Sequence, residues 1–232
     1  MRPDDIPEIR TLDLFRNMSD ESFVDLVRGA YVQTFPPQVQ LITEGDYPDF
    51  LHIVLTGSVE MFATWNGRET SMATVRPIST FILAASIKDA PYLMSARTAE
   101  KSRIIMLPSM DVRAVFESDN GFARAVVGEL AQCYRAVVKT SKDLKLRTSI
   151  ERLANYLLRS SHRAGGAAEF DLSMEKRRLA SFLGMTPENL SRAIKALRPY
   201  GVEVEGPTVR IIDRDSLEGL AKPNPLIDDP ST

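Results

Sequence analysis

The stretch SMEKRRLASFLGMTPENLSRAIKAL, residues Ser173–Leu197, has the pattern of two short helices joined by a tight turn. Apolar residues recur at helical spacing in its first half, where Ser173 occupies the capping position. Gly184 ends the first helix, because glycine enters the left-handed conformation at little cost. Thr186 and Pro187 begin the second helix as a threonine cap followed by proline at the first helical position. The stretch therefore predicts a helix-turn-helix.

The second predicted helix has one apolar and one polar face. Its polar side chains are of the types that contact base edges or phosphates in the major groove, where arginine pairs with guanine and a carboxylate accepts from the cytosine amino group. An ordinary amphipathic hairpin with a solvated polar face would have the same spacing. The candidate DNA-binding residues are Thr186, Glu188, Asn189, Ser191, Arg192 and Lys195, together with Arg177 and Arg178 of the first helix.

The residues after this stretch support the DNA-binding interpretation. They continue as VEVEGPTVRII, in which two alternating strands flank Gly206-Pro207. Alternating strands about a two-residue turn predict a β-hairpin. A hairpin that follows a helix-turn-helix indicates a winged helix.

Composition restricts the class of protein. The 232 residues are 44% hydrophobic and 26% charged, which is typical of a soluble chain large enough for two domains. No apolar run approaches the ~20 residues of a membrane span and no leader opens the chain, so we expect a cytoplasmic protein with no membrane partner. Cys133 is the only cysteine, which argues against disulfide scaffolds, zinc clusters and iron–sulfur clusters. Two histidines and no glycine-rich phosphate loop argue against an enzyme.

Basic charge is concentrated around the predicted helix-turn-helix. Residues 142–198 contain 12 Lys and Arg against 6 Asp and Glu, a net of +6, whereas the whole chain carries −2 and the remainder therefore −8. A phosphate-binding module attached to an acidic domain would have this distribution, and so would a solvated basic face.

Short strands separated by turn signals follow one another before the basic region. Asn66-Gly67, between two alternating runs, is a strong two-residue hairpin signal. Many short strands at this spacing predict an antiparallel roll or barrel and not a parallel sheet. The predicted strands are 31–35, 40–43, 50–56, 58–64, 70–75, 95–99 and 104–107.

The run ITEGDYPDFLHIVLTGSVEMF, Ile42–Phe62, resembles the signature of the cyclic-nucleotide-binding β-roll. With a long helix and a winged helix after it, the chain resembles the CRP/FNR family of bacterial transcription regulators over nearly its full length. The resemblance implies an α+β fold with an N-terminal antiparallel β-roll (jelly roll), a long dimerisation helix and a C-terminal winged helix-turn-helix. It also implies double-stranded DNA and RNA polymerase as partners. The expected divisions are residues 1–120 (β-roll sensor), 121–146 (dimerisation helix and hinge), 147–222 (DNA-binding domain) and 223–232 (flexible tail).

The long helix has an apolar stripe in steps of four and three, the seam of a helix that pairs with another helix. The stripe could instead pack on the chain's own β-roll, but the family resemblance implies a symmetric homodimer. Two recognition helices would then enter successive major grooves about 34 Å apart. The expected interface consists of Ala123, Val127, Leu130, Tyr134, Val137 and Leu144.

The family's nucleotide site is altered in this chain. Members that bind cyclic AMP are expected to hold its ribose with a glutamate and its phosphate with an arginine, whereas Ala84 and Tyr92 occupy those positions here. A buried phosphate without a paired cation is costly, so we expect an effector other than cyclic AMP. Arg97, on the next strand, is the alternative phosphate partner. The candidate effector pocket consists of Phe81, Leu83, Ala84, Tyr92 and Leu93.

Two alternatives remain open at the sequence level. Haem is a candidate cofactor because family branches that resemble nitric-oxide or carbon-monoxide sensors bind it, and His52 and His162 are the available imidazoles. The chain would then be a haem-based nitric-oxide sensor. From another class, a β-roll with a helix could be a regulatory or protein-interaction module without sequence-specific DNA binding.

The recognition helix resembles one branch of the family. PENLSR, Pro187–Arg192, contains the Glu-x-x-Ser-Arg motif of the FNR-like branch, not the Arg-Glu-x-x-Gly-Arg motif of the CRP-like branch. The resemblance implies an inverted repeat with TTGAT-like half-sites, not TGTGA-like ones.

Overall fold

The computed structural model describes residues 5–172 and 174–229. The chain divides into two compact units, of which the first ends at Cys133 and the second begins at Tyr134. The boundary lies inside a 27-residue helix.

The N-terminal unit opens with the helices α1 (Asp5–Arg10), α2 (Asp13–Arg16) and α3 (Asp20–Arg28). The last of these begins at an N-cap, because the Ser19 hydroxyl accepts a hydrogen bond from the backbone N–H of Ser22 at 3.2 Å. Phe15 and Leu26 are buried, so these helices cover one side of the core.

Two four-stranded antiparallel sheets follow, with strand orders β1-β8-β3-β6 and β2-β7-β4-β5. This arrangement confirms the predicted antiparallel roll. The strand β6 was not predicted, because three residues are too few for an alternating pattern. The strands are β1 (Tyr31–Phe35), β2 (Gln40–Ile42), β3 (Phe50–Thr56), β4 (Val59–Trp65), β5 (Arg68–Val75), β6 (Ser79–Phe81), β7 (Ser95–Thr98) and β8 (Ser102–Pro108).

The hairpin β4–β5 has the predicted two-residue turn. Trp65 pairs with Arg68, and both residues between them have positive φ, 48° for Asn66 and 71° for Gly67. Asparagine and glycine are the residues that tolerate these angles, which is why the dipeptide is a reliable signal.

The buried strand β3 divides its side chains between two apolar clusters. Leu51 and Ile53 pack with helical residues that include Phe15, whereas Val54 packs with Val59 of the other sheet. Each buried side chain of this kind contributes about 1.5–3 kcal/mol. The second cluster is the interior of the roll.

Three helices complete or leave the N-terminal unit: α4 (Leu83–Lys88), α5 (Ser109–Ser118) and α6 (Asn120–Leu146). Asp119 caps α6, because its carboxylate accepts from the backbone N–H of Phe122 at 2.8 Å and from that of Ser19 at 2.9 Å. Phe122 and Val126 are buried in the core, whereas the helix is exposed from residue 131 to residue 138.

The C-terminal unit contains the predicted helix-turn-helix and hairpin. A capping box at Thr148 and Glu151 begins its first full helix. The core joins the four helices α7 to α10 to the hairpin through Leu157, Leu190 and Val209, among others. The elements are α7 (Ser149–Arg163), β9 (Glu169–Asp171), α8 (Lys176–Phe182), α9 (Pro187–Ala196), β10 (Val202–Glu205), β11 (Thr208–Ile211), α10 (Arg214–Ala221) and α11 (Pro225–Asp228).

Three details of the C-terminal unit differ from expectation or fall outside the described residues. Ser173, the expected cap, is not among the described residues, and α8 begins at Lys176. The strand β9 pairs with β11 and makes the hairpin three-stranded. Residues 223–229 of the expected flexible tail are ordered around α11, because Asp228 forms ion pairs with Arg147 and Arg159. Residues 230–232 lie outside the described residues.

Candidate nucleic-acid interface and effector region

The second helix of the helix-turn-helix, α9, presents a polar face to solvent. Thr186 caps it, and the Thr186 Oγ1 accepts from the backbone N–H of Asn189 at 3.3 Å. Leu190 and Ala193 are buried in the unit's core. The candidate residues on the other side are all exposed: Thr186, Glu188, Asn189, Ser191, Arg192 and Lys195.

Glu188 and Arg192 lie one helical turn apart on this exposed face. Side chains at that spacing point the same way and can contact neighbouring bases in a major groove. The pKa of Glu188 is lowered by a hydrogen bond from its own backbone N–H, by the Thr186 side chain and by the charge of Arg192. Glu188 is therefore an ionised acceptor at neutral pH. The Ser191 hydroxyl donates to the carbonyl of Pro187 at 3.0 Å, so its hydrogen is engaged within the helix.

The turn before α9 requires glycine for two reasons. Gly184 has a φ of +63°, which L side chains rarely adopt, and a Cβ there would lie 2.6 Å from Leu144 Cδ2. The last turn of α6 thus packs directly against the turn of the helix-turn-helix.

Arg152 of α7 is a buried cation that holds the same turn. Its Nε donates to the carbonyl of Leu183 at 2.9 Å and its Nη2 to that of Gly184 at 3.4 Å, while Nη1 donates to the carbonyl of Arg147 at 2.7 Å. Sequence analysis missed this residue. The signal was available, because an arginine between apolar residues of an amphipathic helix must find partners when it is buried.

The basic residues of α8 differ in exposure. Arg177 is exposed, whereas Arg178 is partly buried. Arg177 is therefore the better placed of the two to reach a phosphate.

The hairpin after α9 is acidic on one face. Arg210 donates from its Nε to Glu169 at 2.6 Å and lies 4.0 Å from Glu205. Its cross-strand partner in β10 is Glu203. One arginine thus faces three carboxylates, which does not favour contact with a phosphate backbone.

The five candidate effector residues do not form one site. Phe81 and Tyr92 are buried in the roll interior, Leu83 packs in the cluster beneath the helices, and Ala84 and Leu93 are exposed, Leu93 by 84%. The sequence placed these residues near one another along the chain, but α4 turns them to different sides.

Tyr92, which stands where the family resemblance places a phosphate-binding arginine, is influenced by two negative charges. Burial, followed by the charges of Asp49 and Asp46, raises the pKa of Tyr92 to about 12. Its hydroxyl donates to the carbonyl of Phe50 at 3.4 Å. Two carboxylates near this ring oppose the approach of an anion.

Arg97, the alternative phosphate partner, is already bound to carboxylates. Its Nη2 lies 2.8 Å from Glu60 Oε2 and 2.6 Å from Glu69 Oε1, and its guanidinium stacks 4.4 Å above the centre of the Phe62 ring. Glu60 is buried, so the departure of Arg97 would break an ion pair that is partly shielded from water.

His52 does not fit an axial haem ligand in this conformation. The imidazole is 5% exposed and stacks on Phe81 at 5.1 Å between ring centres. Burial lowers the pKa of His52 to about 4, a change that a hydrogen bond with the Phe50 backbone opposes, so the ring is neutral. A porphyrin at His52 would have to displace the packed side chains around it. His162 is exposed in the last turn of α7.

The expected dimer seam is largely open. Val127 is 59% exposed, Tyr134 70% and Val137 66%, whereas Leu130 is partly buried against the helical cluster. Ala123 is half-buried, and Leu144, 45% exposed, packs on the turn at Gly184. Packing on the chain's own roll thus accounts for Leu130 but not for the larger apolar side chains of the stripe.

Residues 5–172 and 174–229 contain neither a membrane-spanning helix nor a metal-binding group of side chains. No helix in these ranges is long and apolar enough to cross a bilayer. No three or more His, Cys, Asp or Glu side chains in the same ranges are grouped so that they could hold a metal ion.

Comparisons with known proteins agree with this architecture. The Crp-like helix-turn-helix domain family matches residues 151–220, and the cyclic nucleotide-binding domain family matches residues 32–119. The transcriptional activator protein FnrA of Stutzerimonas stutzeri is 25% identical over 190 residues, which cover 78% of this chain and 76% of FnrA. The structure of FixK2 from Bradyrhizobium japonicum superposes with a TM-score of 0.68 at 22% identity, over 82% of this chain and 96% of FixK2.

A match to potassium channel KAT1 of Oryza sativa subsp. japonica, 25% identical over 144 residues, covers 62% of this chain but spans only 19% of the channel. Such a partial match is limited to a shared module. The two family matches lie on either side of the long helix α6. The two domain families and the related activator together support a transcription regulator of the CRP/FNR family, with a Crp-like helix-turn-helix domain over residues 151–220.

Proposed function

We propose that this protein is a dimeric, sequence-specific DNA-binding regulator of the FNR-like type, which binds an inverted repeat with TTGAT-like half-sites. The observation that carries the proposal is the exposed face of α9, where Glu188 and Arg192 lie one helical turn apart and are both exposed. Arginine can take guanine O6 and N7 while glutamate accepts from cytosine N4.

The dimer would form along α6. Val127, Tyr134 and Val137 repeat at seam spacing and are exposed in one chain, although large apolar side chains favour burial. A second copy related by a two-fold axis buries the same stripe on both helices. Two α9 helices would then be presented to successive major grooves.

The domain organisation that we propose consists of a sensor roll over residues 1–120, a dimerisation helix and hinge over 121–146, and a DNA-binding domain over 147–222. RNA polymerase is the further partner that family membership suggests. The effector is not cyclic AMP on this proposal, because Arg97 is engaged by two carboxylates and Tyr92 lies near Asp46 and Asp49. The environment of His52 gives a haem sensor no support.

The test is a selection of bound sequences from random duplex DNA, followed by mobility shifts on the selected site. We expect a palindrome with TTGAT-like halves and an affinity that falls steeply with salt. Selection of TGTGA-like halves would contradict the FNR-like reading. Binding that does not discriminate among sequences would favour the regulatory or interaction module instead.

A further inference from the structure

The segment after α10 is joined to the end of α6 by a partly buried cluster of ion pairs. Arg147 Nη2 donates to Asp228 Oδ2 at 2.6 Å and Arg147 Nη1 to Asp228 Oδ1 at 2.9 Å, and Arg159 Nη1 reaches the same carboxylate at 2.5 Å. Asp143 Oδ1 accepts from Arg147 Nη1 at 2.8 Å. The Arg147 and Asp228 side chains are 8% and 11% exposed, so water screens this pair little.

The backbone of the same segment is held as well. Asn224 Oδ1 accepts from the N–H of Leu226 at 2.9 Å, and the N–H of Asn224 donates to Asp228 Oδ2 at 2.8 Å. Lys139, on α6, donates from its Nζ to the carbonyl of Asp229 at 2.7 Å. Residues 224–229 therefore form a compact hydrogen-bonded turn. Its Asp228 carboxylate binds Arg147 at the α6–α7 junction.

This cluster continues to the recognition helix through contiguous hydrogen bonds. The carbonyl of Arg147 accepts from Arg152, which also donates to the carbonyls of Leu183 and Gly184. Leu144 also packs against Gly184. Asp228 thus fixes the guanidinium of Arg147, and the backbone of Arg147 anchors the arginine that holds the turn before α9.

We propose that Asp228 is a positioning residue for DNA binding, which locks the α6–α7 junction through Arg147 and so sets the orientation of the turn before α9. The inference rests on the proposed function, but it concerns the free protein as well. Asp228 carries a negative charge, so it is not itself expected to contact phosphate. Its effect on DNA affinity would be transmitted through the junction.

The test compares Asp228→Asn with Asp215→Asn, a matched control in the exposed first turn of α10. In the free protein, hydrogen exchange should accelerate for Asp228→Asn at residues 144–147 and 183–185, with the hairpin β10–β11 unchanged. Affinity for the selected DNA should fall about tenfold, with the salt slope unchanged because no phosphate contact is lost. The control should match the wild type in both measurements.

Arg159→Gln removes one of the three arginine bonds to Asp228 and should give the same local pattern with a smaller loss of affinity, which keeps the proposal testable if Asp228→Asn unfolds. The proposal is overturned if exchange at the junction equals that of the control, if exchange rises uniformly across the C-terminal unit in both variants, or if DNA affinity is unchanged. Should the wild type fail to bind any DNA, the proposed function fails. The exchange data would then still decide whether Asp228 holds the junction.

Discussion

Arg192 is the side chain on which base reading by α9 depends. It is exposed, one turn from Glu188, and sits on the face opposite Leu190 and Ala193. We expect Arg192→Ala to weaken binding to the cognate site by about 1–3 kcal/mol and to flatten discrimination at the guanine. Competition mobility shifts with every base at that position would measure both effects. Undiminished specificity would mean that α9 does not enter the groove as proposed.

Arg177→Ala is the matched comparison, because Arg177 is also an exposed arginine but lies on the preceding helix. We expect it to weaken every duplex alike and to reduce the salt slope by about 0.9. The two variants therefore separate base reading from phosphate contact within one set of titrations.

His52 gives the N-terminal unit a pH dependence with a defined sign. Its pKa is lowered from 6.5 to about 4 by burial, so the unfolded state binds the proton first as pH falls. The stability that depends on a neutral His52 is complete above pH 6.5 and is lost as pH falls toward 4, by about 1.4 kcal/mol per pH unit.

His52→Phe should remove this loss, since the ring that stacks on Phe81 is retained without a titratable nitrogen. Urea unfolding of both proteins at a series of pH values between 7 and 4 measures the difference. Equal pH dependence in the two proteins would show that His52 is accessible to protons in the folded state.

At the scale of single elements, the turn before α9 is the most constrained. Gly184→Ala should destabilise the C-terminal unit by about 1 kcal/mol or more, because of the positive φ and the approach of Leu144. Gly219→Ala is the control: it lies inside α10 with no atom within 4 Å of an added Cβ, and alanine favours the helix there by up to about 1 kcal/mol. Thermal unfolding should therefore move in opposite directions for the two variants, and a shared direction would contradict the account of the turn.

The exposed apolar seam of α6 is expected to form the dimer interface. Val137→Glu should yield monomers, because an unpaired charge would enter an apolar interface, and the chain itself should stay folded since Val137 is 66% exposed. Leu130→Glu would be a poorer test, because Leu130 also packs against the core of its own unit.

Sedimentation velocity over a range of concentrations measures the assembly state. Gln132→Glu, exposed and off the seam, is the control and should leave the dimer intact. A Val137→Glu protein that sediments as a dimer would show that the copies meet elsewhere.

The elements also differ in how far the sequence predicts them. The helix-turn-helix and the Asn66-Gly67 hairpin were predicted because their turns depend on local backbone chemistry at Gly184 and Gly67. The short strands β6 and β9 carry no local signal strong enough to predict. The helix α11 does have a start signal, Asn224 as cap followed by Pro225, but its four residues are too few to show a helical period. The helix α11 is held by ion pairs between Asp228 and two arginines, Arg159 and Arg147, which lie 69 and 81 residues earlier in the chain. A local sequence pattern cannot predict such distant partners.

In the whole molecule, the fold could be predicted from local sequence patterns, whereas the sensor site could not, because it depends on contacts between residues far apart in the chain. The order of roll, long helix and winged helix follows from periodicity and turn residues, and family membership confirms it. The candidate effector residues were chosen by their position in the chain, but the folded roll distributes them between two clusters and solvent. Arg97 likewise depends on Glu60 and Glu69, whose proximity exists only in the sheet.

The N-terminal unit is not expected to bind cyclic AMP. A cyclic phosphate in the roll would need a cation, yet Arg97 is paired twice and Tyr92 lies near Asp46 and Asp49. Leaving such an anion unpaired in a buried site costs several kcal/mol relative to water. We expect titration calorimetry to show no cyclic AMP binding in the micromolar range and the affinity for the selected DNA to be the same with and without the nucleotide.

A ligand can shift DNA affinity only by as much as its own affinity differs between two states of the protein. Calorimetry and the DNA titration therefore both test whether cyclic AMP binds this protein. Glu69→Gln is the informative variant, because it releases half of the charge that holds Arg97 while the buried Glu60 stays paired. If Arg97 can serve a phosphate at all, this variant should acquire weak cyclic AMP binding that the wild type lacks. Tight binding by the wild type would instead mean that Arg97 leaves Glu60 and Glu69 at a cost below that expected for a buried pair.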